Sequence, residues 1–160
     1  MDADFFKHAL RHESKSVLAL DPGETTGTAH FVGSELRAHG QIKGMSVPEV
    51  FVKVRELILV ARPEVIVMED YRVYSWKTAD HAWNDMFTSR LIGAIECYCA
   101  DQGIKLVKQM AQVAKGFCTD DKLRAWGFWH EGQKHARDAT RHAAYYLLFE
   151  VAKVHIHQPI

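Results

Sequence analysis

Two apolar runs set the frame of this chain. Val17-Leu18-Ala19-Leu20 and Val65-Ile66-Val67-Met68 are each too short for a buried helix and are flanked by polar residues. Such runs read as strands covered on both faces. Each ends in acid, at Asp21 in the first and at Glu69-Asp70 in the second. Pro22-Gly23 stops the first run directly after its carboxylate. Between the runs, Val50, Val54, Leu57, Ile58 and Ala61 recur at helical spacing. That pattern predicts a helix from Val47 to Ala61, with Pro48 in its first turn and Pro63 beyond its end. Strand, helix and strand in this order predict a parallel pair. Its acids then emerge at one edge of the sheet.

The other elements fill in around this pair. Thr28 to Val32 and Leu36 to Ile42 are β-prone, with Gly33-Ser34-Glu35 as a hairpin turn between them. Phe87 to Ala100 reads as a helix stopped by Gly103, and Ile104 to Val107 as a fifth strand. Gln109 to Phe117 is expected to be a short helical piece, and Thr119 to Gly132 a loop. A last helix is expected from about Lys134 to about Val151. Residues 1–15 form an N-terminal extension, either a short amphipathic helix on Phe5, Phe6, Ala9 and Leu10 or a frayed end. Residues 16–160 form the domain. The expected class is α/β, a five-stranded mixed sheet with three antiparallel strands and then parallel ones, flanked by helices.

Composition narrows the function classes. The 160 residues carry 20 basic and 20 acidic side chains, so any nucleic-acid surface must come from local clustering and not from net charge. Cys97, Cys99 and Cys118 have no framework spacing and read as plain thiols in a reducing compartment. Met1-Asp2-Ala3-Asp4 is acidic where a secretory leader is basic, and no apolar run reaches membrane-spanning length. A cytoplasmic protein without membrane contact is expected.

The chemistry lies in the acids. Asp21 and Glu69 end neighbouring strands, and the last helix adds His135 and Asp138, three apart and therefore on one face. His142 continues that face. Ala139, Ala143 and Ala144 leave room for the helix to press against the sheet. Taken singly, each acid has a structural explanation: a turn residue, a solvated strand end, compensation of a helix dipole. Together they make a repulsive cluster that calls for a cation.

In this order the motifs resemble the ribonuclease-H-like nucleases. Within them Val17 to Gly23 with Thr26-Gly27, Val65 to Glu69, and His135-Ala136-Arg137-Asp138-Ala139 resemble the RuvC-type Holliday junction resolvases, in particular the compact RuvC-like group of bacteriophages. The resemblance spans roughly residues 16 to 150. It implies a metal-dependent endodeoxyribonuclease that resolves four-way junctions by paired symmetric nicks. Asp21, Glu69, His135 and Asp138 would be the catalytic and metal-binding residues, with Asp70 in place of Glu69 if the strand register is shifted by one. His135 stands where many relatives have an aspartate, and would ligate a metal or transfer a proton. Two Mg²⁺ ions are implied, with Mn²⁺ able to substitute, and no nucleotide cofactor. For a phage-encoded protein the compartment is the host bacterial cytoplasm.

Local sequence supports a DNA partner. Between Lys105 and Arg137 seven basic residues face only Asp120, Asp121 and Glu131. Among them Lys115, Lys122, Arg124 and Arg137 are candidate phosphate contacts, Lys115 foremost because its position before the final loop resembles a basic position in the family. Tyr71, Tyr74 and Trp76 follow Glu69 and could stack on unpaired bases or pack on the next helix. A junction has two-fold symmetry, so a homodimer is expected, with Leu91, Gly93, Ala94 and Ile95 as its helix contact. Competing expectations are a nuclease of the same fold acting on flaps, forks or RNA–DNA hybrids, and a non-cleaving module that binds branched nucleic acid. Thr25 and Thr26 stand close enough to Asp21 to support either a metal or a phosphate.

Overall fold

The computed structural model describes residues 1–71 and 82–154, with the backbone alone at 82–85. Five strands form one sheet in the order β3-β2-β1-β4-β5. They are β1 (Ser16–Asp21), β2 (Thr25–Val32), β3 (Glu35–Lys43), β4 (Val65–Asp70) and β5 (Lys105–Met110). The first three pair antiparallel, while β1–β4 and β4–β5 pair in parallel. The expected α/β architecture with a mixed sheet is the observed one.

Among the described residues six α-helices accompany the sheet: α1 (Ala3–Ala9), α2 (Val47–Ala61), α3 (Ala82–Gln102), α4 (Ala111–Phe117), α5 (Asp120–Ala125) and α6 (Lys134–Tyr146). The bounds of α2 follow from its capping. The Ser46 hydroxyl accepts from Glu49 N–H at the start, and Arg62 takes the left-handed conformation at the end, φ 46°. Pro63 then bars continuation.

Strand alternation sorts the core into two layers. Leu18 and Leu20 of β1 and Ile66 and Met68 of β4 pack with Val50, Val54 and Ile58 of α2 and with Leu91 and Ile95 of α3. Val17, Ala19, Val65 and Val67 face the opposite way, toward Ala139, Ala143 and Ala144 of α6. Phe6 and Leu10 join this second layer, with the Phe6 ring edge-on to Phe128 at 4.9 Å. The N-terminal segment is thus the packed helix of the two forms expected for it.

The α6 helix lies very close to the sheet. A Cβ placed on Gly27 would come within 1.9 Å of the His135 carbonyl oxygen, so only glycine fits there. The helix continues through a π-helical turn at Leu147–Val151.

Several expectations need correction. Gln109 belongs to β5, because pairing with β4 runs on to Glu69↔Gln109 and Asp70↔Met110. The segment after Thr119 is no simple loop. The Thr119 hydroxyl caps α5, and Leu123, Trp126 and Phe128 are buried. Leu91 and Ile95 are fully buried in the chain's own core, so they cannot form a contact with a second copy. Among the described residues, no helix is long and apolar enough to cross a membrane.

Candidate active site

The strand parity that builds the core also aims the acids. Val17, Ala19 and Asp21 alternate onto the α6 face of β1, and Val65, Val67 and Glu69 do the same on β4. Asp70 falls on the opposite parity, so register selects Glu69 as the acid facing α6. One turn of α6 brings His135 and Asp138 over the same sheet edge. The helix can sit there because Gly27, paired with Asp21, has no side chain.

These residues line an open cleft of about 420 Å³ together with Gly23, Thr25, Tyr71, Thr88, Lys115 and Lys134. His135 Nδ1 lies 2.9 Å from Asp21 Oδ2. Lys115 Nζ stands between two acids, 3.0 Å from Glu69 Oε2 and 3.3 Å from Asp138 Oδ2. Three carboxylates from three separate elements therefore share one small volume.

The charges show the strain of this arrangement. Burial pushes the Asp21 carboxyl above its ordinary value, and Glu69 and Asp138 push the same way, against the His135 bond and the Lys115 charge. Burial would also raise Glu69, but the bond from His142 and the charge and bond of Lys115 outweigh it and hold this carboxyl below its ordinary value. Burial acts to lower Lys115, yet the surrounding acids, Glu69 first, keep its ammonium above the usual range. The Asp21 bond raises His135.

A supporting layer lies behind the cleft, and only part of it is visible in the sequence. His142 is completely buried, with Nε2 2.9 Å from Glu69 Oε2 and Nδ1 2.9 Å from Gln109 Oε1. Arg141, also buried, reaches Asp138 Oδ1 at 3.4 Å and bonds the Cys118 carbonyl and Asp120. The seven-residue step from His135 to His142 hinted at the first of these. Nothing in spacing marks Gln109, whose partner lies 33 residues away, whereas Arg141 stands three residues from Asp138 on one helix face.

The remaining basic candidates stand apart from the cleft lining. Lys122 donates to the Phe117 carbonyl at 2.8 Å and covers that ring. Arg124 and Arg137 lie against Trp129, at 3.8 and 4.6 Å from its ring centre. Arg137 also donates to the His130 carbonyl. Of the aromatic candidates, Tyr71 lines the cleft, while Tyr74 and Trp76 lie outside the described residues.

The donor set has the chemistry of a site for a hard divalent ion. Oxygen ligands from Asp21, Glu69 and Asp138, with a nitrogen from His135, suit Mg²⁺ or Mn²⁺. Asp21 is raised chiefly by burial, and the charges of Glu69 and Asp138 add to that rise. As the side chains stand, however, no three His, Cys, Asp or Glu among the described residues are disposed to hold an ion. Lys115 supplies the positive charge instead.

No protein-family model and no curated protein matches the sequence. Solved structures do match. Thermus thermophilus RuvC in complex with a Holliday junction substrate aligns with a TM-score of 0.67 at 16% identity, over 85% of this chain and 94% of that one. The chain has the RuvC fold. Thermus thermophilus RuvC in a second structure aligns at 0.63 and 16% identity, over 84% and 95% of the two chains. The yeast mitochondrial Holliday junction resolvase Ydc2 aligns at 0.61 and 12% identity, over 92% and 85%. At such identities the likeness is one of fold. In this instance of the RuvC fold the acidic cleft sits where β1, β4 and the start of α6 meet.

Proposed function

We propose that this chain is a metal-dependent, structure-selective DNA endonuclease that resolves four-way junctions by paired symmetric nicks. The convergence of Asp21, Glu69 and Asp138 on one cleft carries this reading. A module that only bound DNA would gain nothing from a carboxylate cluster facing a polyanion. The RuvC fold, and the junction substrate in one RuvC structure, point to the class of DNA.

Each residue then has a task. Asp21, Glu69 and Asp138 would hold Mg²⁺, two ions by the resemblance, or Mn²⁺ in its place. So held, the metal would polarise the scissile phosphate and lower the pKa of an attacking water. His142 and Arg141 keep Glu69 and Asp138 from turning away. His135, with its side chain 45% exposed and Nδ1 on Asp21, can pass a proton between cleft and solvent or serve as a further ligand. Lys115 and Lys134 place positive charge at the cleft for a phosphate. Lys122, Arg124 and Arg137 would guide more distant DNA, and Tyr71 would meet a splayed base. A homodimer supplies two such clefts for the two strands to be cut.

The test is a cleavage panel: mobile four-way junction, flap, fork, RNA–DNA hybrid and linear duplex, each with Mg²⁺, Mn²⁺ or EDTA. Paired symmetric nicks in the junction, lost in EDTA, are the expected result. Preferential cutting of flaps, forks or hybrids would move the substrate within the same chemistry. Tight junction binding with no cutting under any metal would overturn the enzymatic reading.

A further inference from the structure

Lys115 has a place in the cleft that phosphate binding alone does not explain. Its ammonium bridges Glu69 and Asp138, at 3.0 and 3.3 Å. The second Asp138 oxygen is occupied by Arg141 Nε at 3.4 Å. Glu69 Oε2 is shared with His142. One oxygen of Glu69 and one of Asp138 therefore already hold a cation. A divalent ion taking the same two oxygens would meet the ammonium at close range, and in a partly buried cleft repulsion between like charges is several-fold stronger than in water.

We propose that Lys115 is the cleft's resident counter-cation, held between Glu69 and Asp138 where a divalent ion binds, so that ion binding requires the ammonium to swing out. This rests on the metal-dependent reading of the cleft. The acids and the lysine differ in how they are fixed. Glu69 and Asp138 are braced from behind by His142 and Arg141. Lys115 sits on the short helix α4 beside Gly116, on a flexible four-carbon stem that is 36% exposed. The lysine is the partner free to move. In the cleft, a DNA phosphate is the natural receiver of the displaced ammonium. Phosphate binding and ion binding would then favour each other by linkage. Free of DNA, the protein would hold its metal weakly and stay quiet.

The test is Mn²⁺ binding to DNA-free protein, followed by the EPR signal of free Mn²⁺ and by calorimetry. Lys115→Met keeps the stem and removes the charge, and should bind Mn²⁺ about tenfold more tightly than the native chain. Lys115→Arg should stay near the native affinity. Equal or weaker binding by Lys115→Met would overturn the counter-cation role and leave the metal reading standing. Absence of Mn²⁺ binding in both proteins would overturn the metal reading itself, and this role with it. A readout on the native chain guards against a misfolded variant. Adding Mg²⁺ should shift the NMR signal of the Lys115 Cε group as it leaves the acids, and an unchanged signal at saturating Mg²⁺ would count against the proposal.

Discussion

The two sides of the cleft are built in opposite ways. On the β4 side, Glu69 is backed by a fully buried histidine, His142, which is itself held by Gln109. On the β1 side, Asp21 meets His135, a half-exposed histidine at the mouth. The same chemical pair, carboxylate and imidazole at 2.9 Å, thus appears once as a fixed brace and once as a solvent-facing contact. Electrostatics follow the difference. Glu69 is held below its ordinary value despite burial, whereas Asp21 is raised chiefly by burial. One side of the site is stabilised as an anion and the other carries the cost of burying a carboxylate. Functional sites commonly hold such a locally unfavourable group.

The largest test of this contrast comes from neutralising each acid. Asp21→Asn and Glu69→Gln should both abolish nicking, but their stabilities should move in opposite directions. Glu69→Gln loses charge-assisted bonds to Lys115 and His142, a cost of about 1.5–3 kcal/mol. Asp21→Asn removes a carboxylate whose ionised form is disfavoured in the fold, so its melting temperature should equal or exceed that of the native chain. Matching losses in thermal melts would erase the distinction between the two sides.

The histidines provide the next test. His142→Ala empties a buried position and leaves Glu69 and Gln109 without their partner. It should cost about 2–4 kcal/mol, a drop in melting temperature of roughly 5–15 °C for a chain of this size. His135→Ala should cost under about 1 kcal/mol, because solvent at its half-exposed ring screens the contact with Asp21, while slowing cleavage at saturating metal. A urea titration of the two variants separates the cases. If His135→Ala proved as destabilising as His142→Ala, the mouth would be as rigid as the brace.

The same contrast explains what could be read from the sequence. The sheet and α2 are legible because both depend on local periodicity and capping, which short stretches carry in full. The aim of the acids is legible too, once parity is followed from Val17 through Ala19 to Asp21 and from Val65 through Val67 to Glu69. Gln109 misleads because Gln109-Met110-Ala111 suits a strand end as well as a helix start, and the pairing with β4 decides. The α5 helix is six residues of mostly charged sequence, held by the Thr119 cap and by burial of Leu123, and isolated helices of that length are not stable. The brace is invisible for a different reason: Glu69 and His142 meet only after the whole fold has closed. Lys115 illustrates both limits. The resemblance singled it out as a phosphate contact, but its partners in the structure are acids of the protein itself.

The smallest expected effect concerns pH, and again the mouth can be set against a buried region. His135 is raised above the ordinary 6.5 by Asp21, so the stability it lends is fully present below pH 6.5 and is lost as pH rises through its folded value. His130 shows the reverse. Its ring stacks on His39 at 3.7 Å, and burial followed by the neighbouring His39 lowers it to about 4. Its contribution is present above 6.5 and is lost as pH falls toward 4. Unfolding free energies measured from pH 4 to 9 should therefore differ from the native profile on opposite arms. His135→Ala should flatten the profile above pH 6.5, and His130→Phe should flatten it below. Exposure of His135 keeps its part small, within about 1 kcal/mol, so the sign and the arm are the decisive readings. A His135→Ala profile that keeps the native fall in stability above pH 6.5 would mean that its contact with Asp21 does not form in solution. The solvent-facing side of the cleft would then be Asp21 alone.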